Sequence, residues 1–204
     1  MWTSSRAERV ALAAAAVVLV LQLFPAAGTA LEYRRALALE QPWRLLTAHL
    51  VHINWTHALV NCAAWWAVAR LFAPDLSARR QALALLCGMF SVDAALLLFD
   101  PLLAWYRGLS GALHALYFCG ATVWLARAWQ PARTPALPLM LLVAGWVKVL
   151  IEQPSGALAP FAPWLGAPVA PQAHLAGAIG GTVLGLAFAL FDARRARFSR
   201  DATS

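Results

Sequence analysis

Charge is scarce in this chain of 204 residues: Asp, Glu, Lys and Arg make up 12%, against 62% hydrophobic residues. A soluble domain of this size cannot hide that much apolar surface, so a water-soluble fold is excluded. Nine acidic residues face 16 basic ones, for a net charge of +7. That excess is not a nucleic-acid signal, because the basic residues flank apolar runs and no basic stretch is interleaved with exposed aromatics. Cysteine is limited to Cys62, Cys87 and Cys119, all inside apolar runs. An odd, unclustered set of this kind excludes a disulfide framework and a zinc knuckle, leaving three small buried hydrophobes. No internal repeat is present, which argues against the two related halves of a small transporter or channel.

What the chain does have is apolar runs, with 12 Gly and 12 Pro spread through them as membrane helices tolerate. Six runs approach the roughly 20 residues a bilayer needs: about 10–27, 56–72, 82–99, 110–129, 136–151 and 174–191. The expected fold is therefore an all-α polytopic membrane protein with a six-transmembrane-helix core over 10–191, a short N-terminus 1–9 and a basic tail 192–204 without evident fold. The first run follows Arg6 and Arg9 and ends in Ala-Ala-Gly-Thr-Ala, so a cleaved signal peptide competes with an uncleaved anchor. The anchor is preferred because further spans follow. Residues 31–55 are too polar to span, yet Trp43, Leu45, Leu46, Leu50, Val51, Ile53 and Trp55 make them amphipathic and suited to an interface. The loop 153–172 is rich in Pro and Gly and apolar, with Phe161, Trp164 and Leu165, and is expected to lie against the bundle or the interface.

Orientation follows from Lys and Arg. With both termini in the cytoplasm, eleven basic residues fall inside and five outside (Arg34, Arg35, Arg44, Arg107 and Lys148). The polar clusters His57/Asn61, Ser110 and His174 then all stand at the outer ends of inward-running helices.

A polar group inside a membrane helix is costly and by default marks a functional site. A lone serine often only bonds its own helix backbone. Ser110 differs, because Gly108 and Gly111 allow a sharp turn and close substrate approach. It also begins a helix, where free N–H groups and the helix dipole favour a developing oxyanion. A serine hydroxyl needs a base. His174 is the candidate, with Gly177, Gly181 and Gly185 at +3, +7 and +11 on its face, a spacing that lets two helices approach closely.

His57 and Asn61 share a helix face and can donate hydrogen bonds to a tetrahedral oxyanion beside the Ser110 N–H. His49, His52 and His57 also raise a metal site, but no carboxylate or fourth ligand stands beside them, so neither metal nor cofactor is expected. His52 is expected to hold the loop through backbone hydrogen bonds. His114, at +4 from Ser110, fits either packing beneath His174 or relaying a hydrogen bond to it. Asp93 needs a buried partner that the sequence does not name. Lys148 and Glu152, four apart near the outer mouth, fit a mutual ion pair or a substrate contact.

The ordered set Trp43-Arg44-Leu-Leu-Thr47, His52-Ile-Asn-Trp-Thr-His57-Ala-Leu-Val-Asn61, Gly108-Leu-Ser110-Gly111 and Ala173-His174-Leu-Ala-Gly177 resembles the rhomboid intramembrane serine proteases over about residues 10–191. Gly-Leu-Ser-Gly-Ala-Leu-His and Val147-Lys148-Val-Leu-Ile-Glu152-Gln153 look like the rhombosortase subfamily. The resemblance implies a serine–histidine dyad without a third acid: Ser110 as nucleophile, His174 as base, and His57, Asn61 and the Ser110 N–H holding the oxyanion. It implies that residues 31–55 form a membrane-embedded first loop. Typical rhomboids carry a stacked tyrosine where this chain has His114. The implied partners are the lipid bilayer and membrane-anchored exported proteins with a C-terminal glycine-rich motif, one transmembrane helix and basic residues, in the inner membrane of a Gram-negative bacterium. A catalytically inactive, helix-binding relative is the alternative; intact Ser110 and His174 argue against it.

Overall fold

The computed structural model describes residues 5–129, 134–155 and 170–201. Among them are eight α-helices: α1 (Arg6–Gln22), α2 (Pro25–Leu31), α3 (Trp43–Thr47), α4 (Trp55–Leu71), α5 (Ala78–Phe99), α6 (Ser110–Ala128), α7 (Ala136–Ser155) and α8 (Pro171–Asp201). Three of these, α5, α7 and α8, are long and apolar enough to cross a membrane, and α1 with α2 adds a fourth if that bent pair is one span. The expected first span is thus broken, turning by 106° between α1 and α2. Pro25 explains the break, because a residue before proline is pushed out of the helical region, and Phe24 is extended with ψ 94°. α4 and α6 fall short for other reasons: α4 has only 17 residues and carries His57, Asn61 and Arg70, and α6 carries Ser110, His114 and Arg127.

α6 is the centre. It buries twelve residues, nearly all small or apolar, and packs against α4, α5, α7 and α8. The α6–α8 contact is close because glycines on α8 face Gly111 and other small residues of α6. A Cβ on Gly177 would strike the Gly111 carbonyl oxygen, and one on Gly181 would strike the Ala115 carbonyl oxygen. A Cβ on Gly185 would lie 2.8 Å from Thr122 Cβ. Small residues at a helical repeat let two backbones meet in this way. The outer faces are apolar instead: Leu86 and Phe90 on α5, Val143 and Leu150 on α7, and Val183 and Leu186 on α8 are all exposed. Helices satisfy their own backbone, so this arrangement suits hydrocarbon.

α1 packs on α4 through Ala7, Ala11, Ala15 and Val18, and Glu8 meets Arg70 at 2.6 Å. α8 continues as helix to Asp201, where the sequence shows no evident fold beyond 191. Asp192 gives the extension an anchor, gripped by Arg80 at 2.8 and 2.5 Å. The loop expectation for Phe161, Trp164 and Leu165 lies outside the described residues.

Residues 31–55 fold rather than wander. A two-residue strand β1 (Tyr33–Arg34) pairs antiparallel with β2 (Trp105–Tyr106), in register Tyr33↔Tyr106. Arg107 donates to the buried Glu32 at 2.6 Å, and Arg44 donates to the Glu32 carbonyl at 2.9 Å. Trp43, Leu46 and Trp55 face outward from this folded loop. The loop is thereby tied to the segment that enters Ser110.

Candidate active site

The turn before α6 is set by Gly108, whose φ of +129° is a region that disfavours side chains. A Cβ there would also lie 2.7 Å from His57 Cε1. The turn is held on several sides. The Gly108 N–H donates to the Ala48 carbonyl at 3.0 Å. The Gly108 carbonyl accepts from the Tyr106 hydroxyl at 2.9 Å and from His49 Nδ1 at 3.3 Å. The Leu109 N–H donates to His52 Nε2 at 3.4 Å, which requires a neutral His52 with its proton on Nδ1. Burial, aided by neighbouring His57, pushes His52 down to about 3, so it is neutral at ordinary pH.

Ser110 is the first residue of α6, with free N–H groups of the helix start around it. Its Oγ lies 3.0 Å from His174 Nε2 on α8. The other ring nitrogen, Nδ1, lies 2.9 Å from Glu152 Oε2 on α7. Glu152 is 4% exposed and His174 5%, so both groups are enclosed by the protein. The geometry therefore departs from a dyad without a third acid: an acid stands behind the histidine. Lys148, one turn earlier on α7, has Nζ 2.9 Å from the same Glu152 oxygen and 2.7 Å from His114 Nε2.

His114 has a defined arrangement. Its Nδ1 donates to the Ser110 carbonyl at 2.7 Å, which leaves Nε2 bare to accept from the Lys148 ammonium. Its ring stacks on His174 at 4.2 Å between centroids and 18° between planes. Of the two arrangements the sequence leaves open, the packing against His174 is present, while the hydrogen bonds of His114 go to the Ser110 carbonyl and Lys148 rather than to His174. His114, Glu152 and His174 offer ligand atoms within 4.8 Å of one another, a spacing that suits a cation. The Lys148 ammonium stands among these atoms and supplies the positive charge itself.

The remaining residues spread more widely. Gly111 and Gly177 form the close seam under Ser110 and His174. His57 is buried against Gly108, with Nδ1 lacking a hydrogen-bond partner. Asn61 Nδ2 donates to the His57 carbonyl at 2.9 Å. Among the described residues neither His57 nor Asn61 donates to Ser110. Asp93 has its partner in His49, 3.4 Å away at ion-pair distance but without hydrogen-bond geometry.

Tyr106 is the residue that reasoning from sequence missed. It lies in the two-residue strand β2, outside the helices, where no helical period assigns it a face. Its phenol is fully buried and pushed upward by that burial, so it remains a neutral donor.

A family model described as Rhomboid domain matches residues 39–191, three quarters of the chain. The chain belongs to the rhomboid family. Rhomboids are in general intramembrane serine proteases, and the matched stretch contains the described α3 to α7 and most of α8, hence every residue of the site above. Comparison with curated proteins finds no match.

Proposed function

We propose that this rhomboid is an intramembrane serine endopeptidase of rhombosortase type, with Ser110 as nucleophile and His174 as general base. The observation that carries the reading is the 3.0 Å approach of Ser110 Oγ to His174 Nε2 at the start of a helix. In acylation, Oγ attacks the scissile carbonyl carbon while its proton passes to Nε2. The tetrahedral oxyanion is met by the Ser110 N–H, by His57 and by Asn61, whose amide must first leave the His57 carbonyl. Collapse breaks the C–N bond, and Nε2 returns the proton to the departing amine. Water, deprotonated by the same nitrogen, then hydrolyses the acyl-serine.

The substrates proposed are membrane-anchored exported proteins with a C-terminal glycine-rich motif, a transmembrane helix and basic residues. Glycine favours the extended backbone that attack requires, because it is a poor helix former. The Gly-Leu-Ser-Gly-Ala-Leu-His run, with histidine in place of a tyrosine, supports the subfamily reading. In the six-span arrangement α4 and α6 count as spans, both termini are cytoplasmic and the site opens to the periplasmic side of a bacterial inner membrane. The distribution of Lys and Arg supports this orientation.

The test co-expresses the protein with a reporter ending in such a tail and compares it with Ser110→Ala and His174→Ala. Cleavage is expected only with the wild type. Cleavage by both variants while folded sinks the proposal. Cleavage by none, with the wild type well folded and unreactive to a fluorophosphonate, supports instead an inactive relative that binds membrane helices.

A further inference from the structure

Glu152 and Lys148 are two charged residues on a membrane-length helix. A carboxylate that is 4% exposed, on a helix running through hydrocarbon, is expensive unless it has work and partners. Glu152 Oε2 has two partners: the Lys148 ammonium at 2.9 Å and His174 Nδ1 at 2.9 Å. Because Nε2 of His174 must be bare to take the Ser110 proton, the ring proton belongs on Nδ1, and that N–H points at Glu152. Lys148 Nζ also lies 3.4 Å from Nδ1, where two donors face each other. This contact opposes positive charge on the ring, and the shared carboxylate offsets it.

We propose that Glu152 is the third member of a Ser110–His174–Glu152 triad, a positioning residue that fixes the His174 tautomer and balances the imidazolium formed during acylation, with the half-buried Lys148 as its counter-ion. This rests on the protease reading above. Lys148 does two jobs from one atom. It neutralises Glu152 when His174 is neutral, so the carboxylate is never alone in the bilayer. It also donates to His114 Nε2, which locks the His114 Nδ1–H onto the Ser110 carbonyl and the stacked ring under His174. Glu152 takes no proton at any step. The proton shuttles between Ser110 Oγ, His174 Nε2 and the leaving group, as in triads where the acid orients and stabilises the histidine.

The test uses a fluorophosphonate probe on the full-length protein in detergent micelles, with labelling rate and His174 ring-nitrogen NMR as readouts. Wild type should label and Ser110→Ala should not. Labelling of Ser110→Ala at the wild-type rate would remove the nucleophile assignment regardless of Glu152.

Glu152→Gln should label at least ~10²-fold more slowly, given the losses of about 10⁴ seen when a triad acid becomes an amide. Its His174 should carry the proton on Nε2 rather than Nδ1. Glu152→Gln leaves the Lys148 ammonium without its counter-ion, so the second variant is Lys148→Met with Glu152→Gln, in which neither charge remains. It should fold like the wild type and stay as slow as Glu152→Gln. Recovery of wild-type labelling in the double variant would overturn the proposal, since the single variant's defect would then lie in the orphaned ammonium. So would labelling of Glu152→Gln within about threefold of wild type, a loss of less than ~1 kcal/mol. An unchanged His174 tautomer in a slow Glu152→Gln would overturn it as well, because the defect would then be one of folding.

Discussion

The α6–α8 pair carries charged clusters at both ends, and they are built differently. At the far end, Arg80 grips Asp192 with two hydrogen bonds, and Arg127 adds contacts to Asp192 at 3.3 Å and to Asp75 at 3.4 Å. These side chains are 21 to 37% exposed, apart from Asp75 at 12%. At the Ser110 end, Glu152 and His174 are almost wholly enclosed, and each bond has a particular direction. Partly exposed pairs cost little to form and contribute little, whereas enclosed ones are tolerated only with every partner in place. The far end thus fastens α8 to α5 and α6. The Ser110 end holds an enclosed, directional chain of hydrogen bonds that depends on each of its partners.

The largest break should come from the seam both ends share. Gly177→Val, one turn along α8 from His174, would drive a branched side chain into the backbone of Gly111, the residue after Ser110. The expected result is loss of fluorophosphonate labelling together with about 1–3 kcal/mol of destabilisation from overpacking, read by thermal unfolding in detergent. Labelling that survives this change would mean that the site does not depend on the close α6–α8 approach.

A sharper cut restricts the damage to the Ser110 end. His114→Tyr keeps an aromatic ring under His174 but gives up the Nδ1–H bond to the Ser110 carbonyl and the Nε2 acceptor for Lys148. Labelling is expected to slow about tenfold, or ~1.4 kcal/mol, with the protein still folded. An unchanged rate would reduce His114 to packing alone.

Acid probes the loop side of the same end. His52 has an ordinary value of 6.5 and is held at about 3 in the fold. The unfolded chain therefore takes up the proton first, and stability depends on pH between these values. His52's share is complete above about pH 6.5 and lost progressively as pH falls toward about 3. Thermal unfolding at pH 7 and pH 4.5 should show a larger drop for wild type than for His52→Gln. Equal drops would place the acid sensitivity elsewhere.

The smallest effect belongs to the far end. Asp192→Ala removes the acceptor of Arg80 and Arg127. It should lower stability by only about 1 kcal/mol and leave the labelling rate per folded molecule unchanged. A strong loss of labelling would couple the two ends and dissolve the contrast between them.

Much of this was legible from local spacing. Gly177, Gly181 and Gly185 announce a close helix pair because a helix repeats its face every 3.6 residues, and they do meet Gly111, Ala115 and Thr122. The Lys148–Glu152 pair is equally local, four residues apart on α7. What spacing cannot say is which way α7 is turned. Spacing leaves Glu152 open to a pair with Lys148 or a substrate contact, and the packing of α7 on α6 and α8 places it against His174 as well. Asp93 meets His49, 44 positions away by number, across two unrelated segments. The number of spans was harder still, since the polar residues of α4 and α6 lower their apparent fitness for the membrane and α4 is only 17 residues long.

The sequence by itself determined the class of molecule, through its excess of apolar residues, and the chemical types at the site. A serine between glycines and a histidine ahead of a glycine repeat were visible without coordinates. Only the tertiary structure decided that a buried acid backs the histidine, that a lysine supplies its counter-charge and that Tyr106 braces the turn. Burial and chemical type follow from composition and period along one helix. Partners across helices depend on the rotation of each helix about its own axis, and that rotation is settled by packing all of them together.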